Sequence, residues 1–384
     1  MDDQTKPRFT SQTLVAQALG AYDPVTKAIS PSIHMAATYL RDSDNGYRAG
    51  YVYGRADNVS VQQAENLIAA LEGAEEALLF PSGMTAATSV LLALETPTHI
   101  IASEVMYWGF RSWLRDIGRY GHSVTFVETS DLDAVRAAVR PGKTGLFWIE
   151  TPSNPLWSVT DIAAISEIAR GAGAVLCVDS TVATPVFTKP LALGADIVMH
   201  SATKYLNGHS DVIAGALATL HEGALWSRIR KMRSQLGTTL SPFDSWLLTR
   251  GMRTLDVRVR AQAKSAARLA AQLVGHPAIS TVLYPGLESH PNHAVALRQM
   301  IGGFGGMFSI RVKTGGKAAI AVAAAVELWR RATSLGGVES LIEHRSSMEG
   351  VESPCPDDLL RFSVGLEDAD ELYFDLTRAL AVAE

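Results

Sequence analysis

The stretch Gly145–Ser180, GLFWIETPSNPLWSVTDIAAISEIARGAGAVLCVDS, holds two short apolar runs, GLFWIE and AVLCVDS, with the helical pattern DIAAISEIARGAG between them. A run that is apolar on both faces, returning after one helix, predicts two parallel strands of a sheet covered on each side. The same alternation continues outward. EALLF precedes TAATSVLLALE, THIIAS precedes FRSWLRDIGRYG, SVTFVE precedes LDAVRAAVR, and ADIVMHS follows as a further strand. Residues 75–220 are therefore expected to form a mainly parallel sheet with helices on both faces. Residues 1–60 lack sustained periodicity and read as an extended arm that reaches a neighbouring subunit. From Val61, the positions Ala64, Leu67, Ile68 and Leu71 fall at helical spacing, and Gly73 is the stop signal. Beyond the sheet, SPFDSWLLTRGMRTLDVRVRAQAKSAARLAAQLVG reads as one long helix leading to a second unit with GGMFSIRV, an alanine-rich helix, LLRFSVG and a final helix. The expected division is an arm over 1–60, a large α/β domain over 61–245 and a smaller α+β domain over 246–384.

The 384 residues are 47% hydrophobic and 19% charged, a globular profile that can bury a sizeable core. A formal net charge of −5 offers no basic surface for nucleic acid. Cys177 and Cys355 are the only cysteines, too few and too far apart for a disulfide framework, so a reducing cytoplasm is expected. The start, MDDQTKPRF, lacks the basic head and apolar run of a secretory signal. Apolar stretches such as Ala318–Trp329 are too short for a membrane span.

Ligands of open parallel sheets sit beyond the carboxyl ends of the strands. Pro81–Met84, Glu104–Tyr107, Glu150–Pro155, Asp179–Thr181 and Ser201–Lys204 follow the expected strands. Ser82-Gly83 at a strand-to-helix junction suits an anion, or is simply a cap and a turn. Asp179 either caps the turn after its strand or pairs with a cation. Lys204, within HSATKY, is either a solvated side chain or an amine for a Schiff base. Arg361 leaves the apolar face formed by Leu360, Phe362 and Val364, toward solvent or toward a ligand. A phosphate cradle, an acid for a pyridinium nitrogen and a lysine for an imine are together the parts that pyridoxal 5'-phosphate requires.

The chain resembles the Cys/Met-metabolism enzymes that depend on pyridoxal phosphate, the group of cystathionine γ-synthase, γ-lyase and β-lyase. The resemblance rests on YVYGRADN, FPSGMTAA, ETPSNP, VDSTVATP, HSATKYLNGHSDVIAGA, SLGGVESLIEH and LLRFSVGLED, in that order along nearly the whole chain. It implies the type I pyridoxal-phosphate transferase fold, with a mainly parallel seven-stranded sheet domain and a smaller C-terminal α+β domain, and a homotetramer built as a dimer of dimers. By the same resemblance, Lys204 would bind the cofactor covalently, and Asp179 would pair with its ring nitrogen. Gly83, Met84, Ser201 and Thr203 would hold its phosphate together with Tyr53 and Arg55 of the neighbouring subunit. Tyr107 would stack on the ring and deprotonate the incoming amine, Asn154 would lie near the phenolic oxygen, and Arg361 with Ser334 would hold the substrate α-carboxylate.

Several positions depart from the group's common patterns. Leu335 replaces an aromatic residue of enterobacterial β-lyases, which favours γ-chemistry on an L-homoserine-derived amino acid. Thr333 and Val52 stand where cystathionine γ-enzymes carry acids, Gly109 where methionine γ-lyases carry a cysteine, and EHRSSMEG replaces a His-Pro-Ala pattern. Arg111 and Arg345 would either recognise an unusual, non-sulfur leaving group or form surface ion pairs. The alternatives are a cystathionine β-lyase, an O-acylhomoserine sulfhydrylase and a non-catalytic cofactor-binding relative. His290 and His293 lack a third partner at zinc-like spacing, so no metal is expected. Cys177 reads as core and Cys355 as an exposed loop thiol.

Overall fold

The structure is a computed structural model that describes residues 9–350 and 353–383. The acidic start of the arm, residues 1–8, lies outside the described residues. Seven strands, β1 (Glu76–Phe80), β2 (His99–Ser103), β3 (Ser123–Val127), β4 (Thr144–Glu150), β5 (Val175–Asp179), β6 (Ile197–His200) and β7 (Gly215–Thr219), form one sheet in the order β1-β7-β6-β5-β4-β2-β3. The six apolar runs read from the sequence are its first six strands, and the pairings among β2 to β6 are parallel, as alternation with helices requires. The sheet has the seven strands that the resemblance implies, but the seventh is not among those apolar runs. It is GALAT, too poor in bulky apolar residues to announce itself, and it runs antiparallel to both β1 and β6. Its small residues answer a steric demand, since a Cβ at Gly215 would lie 2.2 Å from the Ser82 carbonyl oxygen.

A second sheet has the order β10-β11-β12-β9-β8, with β8 Ile279–Leu283, β9 Met307–Val312, β10 Arg330–Arg331, β11 Leu341–His344 and β12 Leu359–Ser363. Phe308 and Phe362 stack at 4.6 Å in its core and Trp329 closes on both edge-on. The two sheets meet beside the loop after β4. There Trp157 Nε1 donates to Ser309 Oγ at 2.8 Å and Ser309 Oγ donates to the Pro155 carbonyl at 2.9 Å. Ser309 sits opposite Arg361 in the β9–β12 register, so this contact brings Arg361 to the edge of the large sheet.

Two expectations need correction. The long helix is two, Pro242–Met252 and Leu255–Leu273. Gly251 passes so close to Asn207 that an added Cβ would lie 2.3 Å from its carbonyl oxygen, and the Gly251 carbonyl is taken by Thr254 and Arg258, which breaks the ladder there. The arm is not wholly extended, because Ser11–Gln17 is helical with Thr10 as its cap. The expected helix near Val61 spans Val59–Glu72, with Gly73 left-handed at its end. Among the described residues no helix is long and apolar enough to cross a membrane.

The turn after β6 is fixed from outside. Arg258 is buried and donates to the carbonyls of Tyr205, Leu206, Asn207 and Gly251 at 3.0, 3.4, 3.4 and 2.9 Å. Gly208 closes this turn at φ 73°, and a Cβ there would lie 1.9 Å from Arg258 Nη1. Gly208→Ala combines a strained left-handed backbone with loss of that guanidinium's position. It is expected to cost about 3 kcal/mol or more and to lower the thermal midpoint by roughly 6–12 °C in a scanning-calorimetry comparison with the unaltered protein. A midpoint within a degree of the parent's would contradict the clamp.

Candidate active site

The carboxyl ends of β4, β5 and β6 are level with one another, since Glu150 pairs with Asp179 and Asp179 with Met199 in register. Above them lies a cavity of about 260 Å³ that β12 and the segment before β11 close from the far side. Gly83, Met84, Tyr107, Asn154, Asp179, Ser201, Thr203, Lys204, Ser334 and Arg361 all line it. Ten of the twelve residues singled out in the sequence thus meet in one place. Tyr53 and Arg55 do not. Tyr53 is half exposed, and the Arg55 guanidinium lies 5.6 Å from its ring centroid on the outside of the molecule.

Ser82 caps the helix Gly83–Leu92 by accepting from Thr85 N, which leaves the N–H groups of Gly83 and Met84 without intrahelical partners. Glycine at 83 is what lets that helix end approach Ser201, whose Oγ would be 3.0 Å from an added Cβ. The Ser201 hydroxyl makes no hydrogen bond among the described residues. Thr203 is engaged with Ala214, donating to its carbonyl at 3.2 Å and accepting from its N–H at 2.9 Å. Two orphan N–H groups, a helix dipole and a free hydroxyl make a cradle suited to an anion.

Asp179 is buried, and one of its oxygens, Oδ1, takes both the N–H and the hydroxyl of Thr181, at 3.0 and 2.5 Å. Among the described residues nothing donates to Oδ2, which is therefore left for a cationic partner. Burial raises its pKa and the Thr181 hydrogen bonds oppose that. Its neighbour Glu150 is pushed up to about 8, by burial first and by the adjacent Asp179 second. Two carboxylates side by side in a low dielectric resist joint ionisation. Glu150 was given no role from the sequence, yet it organises the site. Its two oxygens accept the N–H groups of Tyr107 at 2.7 Å and Asn154 at 2.8 Å. Tyr107 itself starts the helix Trp108–Arg115, with its half-exposed ring against the bare Cα of Gly109.

Lys204 Nζ donates to Ser334 Oγ at 2.7 Å. Burial, and then the Arg361 charge, lower its pKa to about 8, so a substantial neutral fraction exists near physiological pH. Ser334 is held at φ 91°, a left-handed geometry rare for serine. Its carbonyl accepts from Arg361 Nη2 at 2.7 Å, while Arg361 Nη1 donates to Asn154 Oδ1 at 3.2 Å. Arg361 is buried, not solvent-facing, and is paired with Glu343.

Thr333, Leu335 and Arg345 also line the cavity, whereas Arg111 does not; its guanidinium lies 5.4 Å from the Phe126 ring centroid. The reading of Arg345 as a surface ion pair is overturned, since it is 2% exposed and bonded to Glu343 and Glu349. Cys355 is likewise buried, and burial pushes its thiol up to about 12. His290 Nδ1 accepts from the Asn292 N–H at 3.2 Å and His293 Nδ1 bonds to the Pro285 carbonyl at 2.8 Å, and among the described residues no cluster of three or more metal-binding side chains occurs.

An anion cradle, an acid with one unpaired oxygen and a partly neutral amine share one cavity, and that set fits pyridoxal phosphate in charge and chemistry. Comparison with known proteins agrees. Residues 12–381 match the family model described as Cys/Met metabolism PLP-dependent enzyme. The chain is 43% identical over 365 residues to the cystathionine γ-synthase of Mycobacterium tuberculosis, covering 93% of each. It is 40% identical over 367 residues to the cystathionine γ-lyase of Bacillus subtilis, covering 93% of this chain and 96% of the other. Among solved structures, the Xanthomonas oryzae cystathionine γ-synthase in complex with cystathionine superposes with a TM-score of 0.92 at 35% identity, covering 98% and 99% of the two chains.

Proposed function

The chain belongs to the Cys/Met-metabolism enzymes that depend on pyridoxal phosphate, and from that premise we propose that it carries out γ-elimination or γ-replacement on an L-homoserine-derived amino acid. One observation carries the reading. The amine of Lys204, with a pKa lowered to about 8 and a hydroxyl as its hydrogen-bond partner among the described residues, lies in the same cavity as the Asp179 acid and the Arg361 guanidinium. A cofactor-binding protein without catalysis would have no need of a movable base there.

When bound, pyridoxal phosphate supplies an electron sink conjugated to the substrate nitrogen, which acidifies the protons on Cα and then Cβ. Gly83, Met84 and Ser201 would hold its phosphate, with Thr203 after rotation of its hydroxyl, and Asp179 its ring nitrogen. Arg361, aimed by Asn154 and the Ser334 carbonyl, would orient the α-carboxylate. Tyr107 would take the proton of the incoming ammonium. Lys204 would remove the Cα proton and then move one at Cβ, and departure of a γ-substituent needs both transfers by one base reaching adjacent carbons.

The leaving group is the open specificity question. Cystathionine is bound by the Xanthomonas oryzae relative, but Thr333 offers no carboxylate to a distal ammonium, which disfavours that substrate here. Incubation of the purified enzyme with cystathionine, O-acylhomoserines, methionine and O-substituted homoserines is expected to release 2-oxobutyrate fastest from an oxygen-linked substrate, at least tenfold faster than from cystathionine. Pyruvate from cystathionine without 2-oxobutyrate would overturn γ-action in favour of a β-lyase.

The boundaries 1–60, 61–245 and 246–384 go with this reading, as does a cytoplasmic homotetramer in which Tyr53 and Arg55 complete a neighbour's phosphate site. Val25, Ile29, Met35 and Leu40 support it, because the arm leaves these apolar side chains largely exposed in the single chain.

A further inference from the structure

Glu343 and Arg361 face each other in register across β11 and β12, and their side chains are ion-paired. The oxygen that Arg361 meets, Glu343 Oε2, also accepts from Arg345 Nη1 at 3.1 Å. Arg345 in turn donates through Nε and Nη2 to Glu349 Oε1 at 3.1 and 2.6 Å. Ser353 closes the chain on Glu349 Oε2 at 2.5 Å. All four charged side chains are buried, at 2–6% exposure, so solvent screens none of them. The set is neutral, two cations against two anions, and it ends at the cavity.

The arrangement decides what Arg345 can do. Two of its nitrogens are committed to Glu349, so it is already compensated and is a poor receptor for a substrate anion. Its remaining bond falls on the one carboxylate that competes for Arg361. A substrate carboxylate and Glu343 bid for the same guanidinium, and an unshared Glu343 would neutralise it. By dividing Glu343 Oε2 between two arginines, Arg345 leaves Arg361 with residual positive charge and a fixed orientation.

We infer that Arg345 is a positioning residue that acts through Glu343 to keep Arg361 competent for the substrate α-carboxylate. The inference rests on the reading of Arg361 given above. It is tested on the cofactor-loaded enzyme by calorimetric binding of L-norvaline, which has no γ-leaving group, against n-butylamine, the same skeleton without the carboxylate. Arg345→Gln, which leaves Glu343 wholly to Arg361, is expected to weaken norvaline about tenfold, the worth of one charged hydrogen bond, while butylamine stays within about twofold; Glu349→Gln, which frees Arg345 to draw harder on Glu343, should not weaken it. The double variant, which leaves no unpaired buried charge and so folds where a single one fails, should lose norvaline to the same extent as Arg345→Gln. Arg361→Met should abolish the preference for norvaline. If Arg361→Met keeps the preference, the reading of Arg361 falls and the inference with it. If Arg361→Met loses it while the double variant keeps it in full, the positioning role alone is overturned.

Discussion

Lys204→Ala is expected to lower turnover by about 10⁴-fold or more, since on the proposed roles it would remove both the covalent hold on the cofactor and the general base at once. The visible absorption band of the loaded protein should disappear with it, whereas the anion cradle of Gly83, Met84 and Ser201 is untouched. The same lysine carries a pH signature. Its pKa is lowered to about 8 by burial and by Arg361, and only the neutral amine is a nucleophile. The rate at which cofactor-stripped protein regains the band on adding pyridoxal phosphate should therefore rise with pH and level off above about 8. Stopped-flow absorbance checks the rate and a product assay checks the turnover. Turnover retained by Lys204→Ala would overturn the mechanism.

How much of this was legible in the sequence follows from the range of each signal. Strand ends are local, so Asp179, Lys204 and the Ser82-Gly83 junction could be located from apolar runs and the residues that terminate them. Cross-strand register is not local. Glu343 and Arg361 are eighteen positions apart in sequence yet directly opposed in the sheet, and nothing in LIEH or LLRFSVG announces the pair. Glu150 was within sight, because it ends its strand as Asp179 ends the next. Its value as a double acceptor for the N–H groups of Tyr107 and Asn154 depends on how two loops fold back over it. Arg345 misled for a physical reason. An arginine among polar residues reads as surface, and only the i,i+4 spacing to Glu349 hinted at an internal pair.

Asp179→Asn separates stability from function, and its two effects have opposite signs. Asparagine keeps the shape and can still accept from Thr181, but it carries no charge to set against the ring nitrogen. Removing one member of a buried charged pair costs about 3–5 kcal/mol, so turnover should fall by roughly 10²- to 10⁴-fold. Without the cofactor the sign reverses. Burial raises the carboxyl's pKa in the folded protein, so the folded state keeps a proton that the unfolded chain has already released. Stability contributed by this group therefore falls as pH rises through and above the ordinary carboxylate range. Asparagine removes that penalty, so the stripped variant should melt above the stripped parent at neutral pH, with the gap closing in acid. In the loaded proteins the order should invert, because only the parent recovers the ion pair. Glu150 makes the inversion specific. It shares the low-dielectric edge with Asp179 and is itself pushed up to about 8, so loss of the Asp179 charge also relieves its neighbour and enlarges the gain of the stripped form. Calorimetric midpoints with and without pyridoxal phosphate at neutral and acid pH measure all four states. A stripped variant no more stable than the parent, together with full turnover when loaded, would mean that Asp179 is only a cap for its turn.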